Sequence, residues 1–184
     1  MKNFNQLIIL TGPSGVGKGT LIQKIIKKDK RFWVSISATT RKPREGEVDG
    51  ENYYFLSNSQ FEEMIDKELL IEWAKFADNY YGTLLKPVAD KINEGYKVIL
   101  EIEVEGAEQI RKKFPNALSI FIMPPSKNEL EKRIRNRGTE NEDSILKRLE
   151  RASFEIDSAK EFDHIITNLE IDETVKKILK VITL

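Results

Sequence analysis

The sequence predicts an α/β protein with a parallel sheet flanked by helices, on the basis of two observations. Short continuous apolar runs such as residues 7–10 are typical of strands that are buried on both faces of a sheet. These runs alternate with longer segments in which apolar residues recur every three or four positions, the period of a helix. This βαβα order favours parallel strands joined by helical crossovers.

The predicted elements follow one another along the chain. Core strands are expected at residues 7–10, 33–38, 97–102, 118–123 and 164–167. Helices are expected at residues 18–28, 84–94, 106–113, 145–159 and 171–182, and after the capping patterns Ser59-x-x-Glu62 and Ser126-x-x-Glu129. We therefore predict a core of residues 1–38, 84–124 and 145–184, a small mixed α+β insertion of residues 39–83, and a helical lid of residues 125–144.

The composition excludes several classes of function. Among 184 residues, 30 Lys and Arg balance 30 Asp and Glu, so no net charge attracts nucleic acid or an anionic membrane. The absence of cysteine excludes disulfides, thiolate zinc sites and cysteine nucleophiles, and His164 is the only histidine. Residues 7–10 are too short for a signal peptide or a membrane span. We expect a cytoplasmic protein without nucleic-acid or membrane partners, and its oligomeric state is left open.

A phosphate-binding motif, G-x-x-x-x-G-K, lies between the first strand and the first helix. Its glycines let successive backbone N–H groups point at one anion, and the helix N-terminus and the Lys18 ammonium add positive charge. This context predicts a core of the P-loop NTPase type rather than an ordinary glycine-rich turn. The residues assigned to ATP in this loop are Gly12, Pro13, Ser14, Gly15, Val16, Gly17, Lys18, Gly19 and Thr20.

A second anion site is predicted after the second strand. Arg41 and Arg44 lie three residues apart on either side of Pro43, so both guanidinium forks can hold one phosphate. Tyr53 and Tyr81 can add phenol donors to the same anion. Alone, the cluster would be an ordinary basic turn, but beside a P-loop it indicates a second phosphate site.

Six segments closely resemble guanylate kinases: residues 12–20, 37–44, 46–53, 71–73, 79–83 and 137–138. The similarity extends through essentially the whole chain. It implies that the γ-phosphoryl group of ATP passes to GMP with Mg²⁺, giving ADP and GDP in purine nucleotide metabolism. It also implies that the GMP phosphate is held by Arg41, Arg44, Tyr53 and Tyr81, and that the base meets Ser37, Glu72 and Thr83.

The chemistry of guanine agrees with this assignment. The Glu72 carboxylate can accept from N1–H and the 2-amino group, while the hydroxyls of Ser37 and Thr83 can donate to O6. Adenine would instead present an acceptor at N1 to that carboxylate. Glu103 is also assigned to GMP, in the segment Glu101-Ile-Glu103 where the family usually carries Asp-x-Asp.

Further cations and one asparagine complete the expected site. The resemblance implies that lid arginines close over the transferred phosphoryl group, where positioned cations stabilise the developing charge. Catalytic roles are assigned to Lys18, Arg41, Arg137 and Arg148, with Arg133 as a weaker candidate. Arg135 and Arg151 are expected at the surface, and His164 has no catalytic role. Asn168 is expected near the adenine of ATP, although Leu169 and Glu170 replace the family's usual pair of aspartates.

Two alternatives stay open at this point. A guanylate-kinase-like interaction domain binds partner proteins at the GMP site, but such domains commonly lack a working P-loop, and Gly17 and Lys18 are intact here. Another P-loop kinase would phosphorylate AMP, a pyrimidine nucleotide or a small metabolite, against which the base-reading residues argue. Acceptance of dGMP or nucleotide drugs, turnover, regulation, and the effects of Gly19 and of Glu101 with Glu103 are also open.

Overall fold

The computed structural model describes residues 6–76, 78–136 and 142–183, apart from the side chain of Phe76. Its strands are β1 Leu7–Thr11, β2 Phe32–Val34, β3 Ser37–Thr39, β4 Tyr54–Phe55, β5 Leu70–Phe76, β6 Asn79–Leu84, β7 Lys97–Glu101, β8 Leu118–Met123 and β9 His164–Thr167. Its helices are α1 Lys18–Lys28, α2 Asn58–Asp66, α3 Leu85–Asn93, α4 Val104–Lys113, α5 Lys127–Arg135, α6 Glu142–Asp157 and α7 Ile171–Ile182, with a 3₁₀ turn at Ser158–Glu161. No helix in these ranges is long and apolar enough to cross a membrane.

The core is a five-stranded parallel sheet in the order β2-β7-β1-β8-β9, as the sequence predicts. Every residue of β1 is buried. Successive side chains of a strand point to opposite faces, so Ile8 and Leu10 pack into one hydrophobic cluster with α1 and α7. Leu7 and Ile9 pack into the other cluster, with α3 and α4. The helices on both faces account for the continuous apolar run at the start of the chain.

The predicted insertion lies within a second, mixed sheet in the order β4-β3-β6-β5, which begins at Ser37 and ends at Leu84. The fully buried ring of Phe61 in α2 packs with Ala38 and Leu70 beneath this sheet. Helix α4 joins it to the core, because the Gln109 side chain exchanges hydrogen bonds of 3.2 and 2.6 Å with the backbone of Trp73. The second sheet is therefore tied to a helix that packs on the parallel sheet.

Two local predictions are wrong. The strand expected at residues 33–38 is divided, because β2 ends at Val34 and β3 begins at Ser37 in the other sheet. An apolar pattern marks an extended segment but does not show that the chain changes sheets within it. The capping box of α2 uses Ser57 and Gln60 rather than Ser59 and Glu62. Both S-x-x-E/Q patterns overlap in the sequence, and the fold selects the earlier one.

The end of β1 approaches β8 so closely that only glycine fits at position 12. Gly12 has φ +148°, and a Cβ on it would overlap the carbonyl oxygen of Ile122. This contact sets the direction in which the chain leaves the sheet toward the P-loop. Gly19, by contrast, is exposed within α1 and has open space around the position of a Cβ.

We predict that Gly12→Ala lowers the free energy of unfolding by about 1–3 kcal/mol, because the backbone must move to relieve the overlap. The matched change Gly19→Ala should raise it by about 0.5–1 kcal/mol through helix propensity. Urea unfolding followed by circular dichroism measures both. Equal stability of Gly12→Ala and the unchanged protein would contradict the close approach.

Candidate active site

The P-loop encloses the ammonium group of Lys18. Gly15 and Gly17 have φ +86° and +101°, which curls the backbone between β1 and α1 in a way that glycine adopts without strain. Lys18 is only 9% exposed, and its Nζ donates to the carbonyl oxygen of Gly12. The loop thus holds a cation next to backbone N–H groups at the start of a helix, which is an anion site.

The Asn168 side chain packs against the P-loop and donates a hydrogen bond to its backbone. Its Nδ2 donates to the Val16 carbonyl oxygen at 2.8 Å, and the amide lies so close to Gly17 that a Cβ there would be 2.9 Å from Nδ2. The Asn168 side chain is buried, and its Oδ1 has no hydrogen-bond partner within the described residues. Asn168 therefore acts here on the shape of the P-loop, and its contact with an adenine stays a prediction.

Two adjoining cavities form one cleft between the sheets. A cavity of about 590 Å³ is lined by the P-loop from Pro13 to Thr20 apart from Val16, and a cavity of about 430 Å³ is lined by residues of the insertion. Both cavities are lined by Ser14, Ser37, Tyr53, Glu101, Ile102, Glu103 and Arg148. The cleft lies at the carboxyl ends of β1 and β7, where open α/β sheets bind their ligands. A ligand on the P-loop and one in the insertion would therefore meet.

The four predicted phosphate ligands line the smaller cavity: Arg41, Arg44, Tyr53 and Tyr81. Glu47 holds the two arginines, accepting from both terminal nitrogens of Arg41 at 2.8 and 2.9 Å and from the Arg44 backbone at 2.7 Å. The hydrogen bond from Arg41 lowers the pKa of Glu47 to about 2. Sequence reasoning gave Glu47 no role, and its only signal was its place in segment 46–53.

The register of the second sheet aligns the predicted base-reading residues. Ser37 pairs with Thr83 across β3 and β6, and Thr83 pairs with Glu72 across β6 and β5, so the three lie in one row. Tyr81 lies two residues from Thr83 along β6 and therefore on the same face. Residues separated by up to 46 positions are brought together in this way.

Glu72 is a buried carboxylate at the end of this row. It is 4% exposed, and burial raises its pKa to about 7 despite a 2.6 Å hydrogen bond from the Thr83 hydroxyl. We expected the Thr83 hydroxyl to donate to O6 of a base. In this structure it donates a hydrogen bond to the Glu72 carboxyl group instead. Gly106 leaves room for the carboxylate, because a Cβ on that residue would overlap Oε2.

Helix α6 contributes cations to the same cleft. Arg148 donates to the Ser14 hydroxyl of the P-loop at 2.9 Å. Arg151 was expected at the surface, but it lines the smaller cavity and donates to Glu105 and Glu155. Residues three apart share a helix face, so the position of Arg148 also turns Arg151 inward.

The lid arginines are placed in different surroundings. Arg133 makes an ion pair with Glu129, and Arg135 is exposed and paired with Glu131 and Glu142, as expected for a surface residue. Arg137 lies outside the described residues. Of the predicted catalytic cations, Lys18, Arg41 and Arg148 are therefore located at the cleft.

The carboxyl end of β7 adds two acidic residues. Glu101 is largely buried, which raises the pKa of its carboxyl group against the opposing effect of Lys18. Glu103 is exposed to the cleft at the start of α4 and faces Glu155, which is 2% exposed. Burial, and then the Glu103 carboxyl, raise the pKa of Glu155 to about 8. Sequence reasoning missed Glu155, which in the sequence is one more acidic residue of an amphipathic helix.

Comparison with known proteins finds similarity over nearly the whole chain. The family model described as guanylate kinase matches residues 4–183. The chain is 64% identical over 182 residues to the guanylate kinase of Prochlorococcus marinus strain MIT 9312, covering 99% of both chains. The crystal structure of guanylate kinase from Anaplasma phagocytophilum is similar with a TM-score of 0.78 at 30% identity, over 96% of this chain and 84% of that one.

A more distant likeness concerns the fold alone. Shikimate kinase from Bacteroides thetaiotaomicron has a TM-score of 0.52 at 15% identity, over 96% of this chain and 98% of that one. The matching family model covers nearly the whole chain, and so does the relative with 64% identity. The chain belongs to the guanylate kinase family.

Proposed function

We propose that this protein transfers the γ-phosphoryl group of ATP to GMP, giving ADP and GDP. The observation that carries the proposal is a single cleft with a P-loop lysine at one end and a buried carboxylate beside two arginines at the other. Family membership supports the same activity. The enzyme acts in purine nucleotide metabolism, and we assign it to the cytoplasm, where both substrates occur.

Glu72 distinguishes guanine from other bases in this proposal. The ionised carboxylate accepts from N1–H and the 2-amino group, and Thr83 fixes its orientation through the 2.6 Å hydrogen bond. Adenine would place a lone pair against the carboxylate and leave a buried acceptor without a donor. A site built on such hydrogen bonds rejects the wrong base strongly. Ser37, at the other end of the row, donates to O6.

The arginine and tyrosine cluster binds the acceptor phosphate. Arg44 offers its guanidinium to the cavity, while Glu47 holds Arg41 beside the ring of Tyr53, 5.1 Å from its centroid. The phenols of Tyr53 and Tyr81 donate to the same phosphate. These fixed cations hold an oxygen of the GMP phosphate toward the P-loop. The GMP phosphate and the γ-phosphate of ATP repel each other, and the cations keep them close and correctly oriented.

In the transfer step, an oxygen of the GMP phosphate attacks the γ-phosphorus of ATP. A new O–P bond forms as the bond between the γ-phosphorus and the bridging oxygen of the β-phosphate breaks, and ADP leaves with that electron pair. Lys18 and Arg148 stabilise the charge on the phosphoryl oxygens. The acceptor is already an anion, so no histidine or other general base is needed.

Mg²⁺ fits this site as a companion of ATP. Within the described residues, no group of three or more His, Cys, Asp or Glu side chains is arranged to hold a metal. Phosphate oxygens and water would therefore hold most of the ion, and the exposed hydroxyl of Thr20, after Gly19, is available beside the loop. The cation neutralises charge on the triphosphate. We further propose that residues 39–83 and 125–144 move as the insertion and the lid to exclude water.

The first prediction concerns the acceptor. Coupled ADP production with GMP, dGMP, AMP, CMP and UMP should show transfer confined to guanine nucleotides. Lys18→Ala should lower kcat roughly 100-fold or more, and Arg44→Ala should lower kcat/KM for GMP on the order of 100-fold. Each change removes a positively charged side chain that contacts a phosphate group.

Arg31→Ala is the matched control, since the exposed Arg31 pairs with Asp29 away from the cleft and should leave the rates unchanged. Preference for another monophosphate would contradict the role of Glu72. A folded protein that transfers to no acceptor would favour an interaction domain instead.

The second prediction concerns pH. Glu72 must be ionised to accept from guanine, and its pKa is about 7, so kcat/KM for GMP should rise as the pH increases from 5.5 to 7.5. Glu72→Gln should lower kcat/KM roughly 100-fold, because the amide turns a donor toward the donors of guanine. Since the acceptor phosphate also titrates in this range, the test is the ratio of unchanged to variant protein.

That ratio should increase with pH and level off above the pKa of Glu72. Glu62→Gln, at an exposed position of α2, is the control and should follow the unchanged protein at every pH. A ratio that does not vary with pH would mean that the ionisation of Glu72 does not govern GMP binding.

A further inference from the structure

One buried carboxyl group in the cleft, that of Glu155, has no part in the reaction described so far. Glu155 of α6 is 2% exposed, and its Oε1 accepts from Nε of Arg151 at 3.3 Å. Its Oε2 is buried and has no hydrogen-bond donor within the described residues. The Glu103 carboxyl lines the same cavity, faces Glu155 and is itself exposed to the cleft. A buried acceptor thus faces another acceptor.

The surrounding charges do not neutralise both carboxylates. Arg151 also pairs with Glu105 of α4, so its charge is divided among carboxylates from two helices. Lys18 of α1 attracts Glu155 from a distance, but it faces Glu101 of β7 as well. Two adjacent carboxylates with too little positive charge retain one proton between them.

The proton belongs on the less solvated partner. Glu155 is buried, and burial disfavours its charged form, whereas Glu103 is exposed to the cleft. With the proton on Glu155, an O–H donates to the Glu103 carboxylate, and the unpartnered oxygen becomes a donor. Such charge-assisted O–H···O⁻ bonds are short and directional. The buried acid therefore fixes the position of the exposed one.

We propose that Glu155 is a positioning residue that holds the Glu103 carboxylate toward the acceptor nucleotide by sharing one proton with it. The positioning role rests on the proposed function and on the GMP contact that the resemblance to guanylate kinases implies for Glu103. Glu103 lines both cavities, so its position affects the point where the two substrates meet. Loss of the shared proton leaves two repelling carboxylates and displaces Glu103 from GMP.

Glu155→Gln and Glu155→Leu distinguish the hydrogen bond from simple packing. The amide of Gln donates to Glu103 at every pH, as the protonated acid does, whereas Leu cannot donate. At pH 7 we expect Glu155→Leu to raise KM for GMP on the order of tenfold, and Glu155→Gln to keep KM within about threefold of the unchanged protein. An equal loss in both variants would overturn the proposal.

The pH dependence supplies a readout that a packing role would not move. The unchanged protein loses the shared proton at the pKa of Glu155, about 8, while Glu155→Gln has none to lose. The ratio of kcat/KM for GMP, variant to unchanged protein, should therefore rise several-fold between pH 7 and 9.5. Glu150→Gln, an exposed position on the same helix, should give a constant ratio. A constant ratio for Glu155→Gln would overturn the proposal.

Urea unfolding of the nucleotide-free protein tests the shared proton without substrate. Glu155 has a raised pKa when folded, so the unchanged protein loses stability as the pH rises from about 4.5 toward 8. Glu155→Gln lacks this dependence, so its midpoint should rise relative to the unchanged protein across that range. A constant difference would overturn the shared proton. If the unchanged protein transfers nothing to GMP, the proposed function fails while the unfolding series still decides on the proton.

Discussion

The burial of β1 on both faces is the constraint on which the rest of this structure depends. Its five residues fill the space between two hydrophobic clusters, so β1 must lie in the middle of the sheet with β7 and β8 beside it. At the carboxyl end of β1 the chain passes close to Ile122 of β8 through Gly12, and the P-loop begins there. The carboxyl end of β7 delivers Glu101 to the same edge. Packing in the core thus decides where the P-loop lies.

Three acidic side chains that line the cleft are largely removed from water. Glu72, Glu101 and Glu155 are all mostly buried, and burial raises the pKa of each. Isolated buried charges of this kind are costly, and each has a specific partner: a hydroxyl, a lysine, or another carboxyl with an arginine. The raised pKa values follow from this burial.

Hydrogen bonds between distant elements hold the two halves of the cleft in place. Gln109 ties β5 to α4, Arg148 ties α6 to the P-loop, and Asn168 ties the end of β9 to the same loop. Each uses a side chain of the core sheet's helices or loops. The second sheet is consequently held next to the P-loop by the same core that positions the loop.

The sequence by itself determined the parallel core and the P-loop, because the apolar run of β1, the glycines and Lys18 are local signals with a single structural outcome. Residue chemistry also predicted Arg41 and Arg44 as phosphate ligands, and the resemblance to guanylate kinases implied that Glu72 meets the base. Only the tertiary structure decided that residues 33–38 are divided between two sheets and that Glu47 pairs with Arg41. It also decided that Arg151 points into the cleft and that Glu155 faces Glu103. These features depend on which distant elements become neighbours, and periodicity along one segment carries no information about contacts between segments.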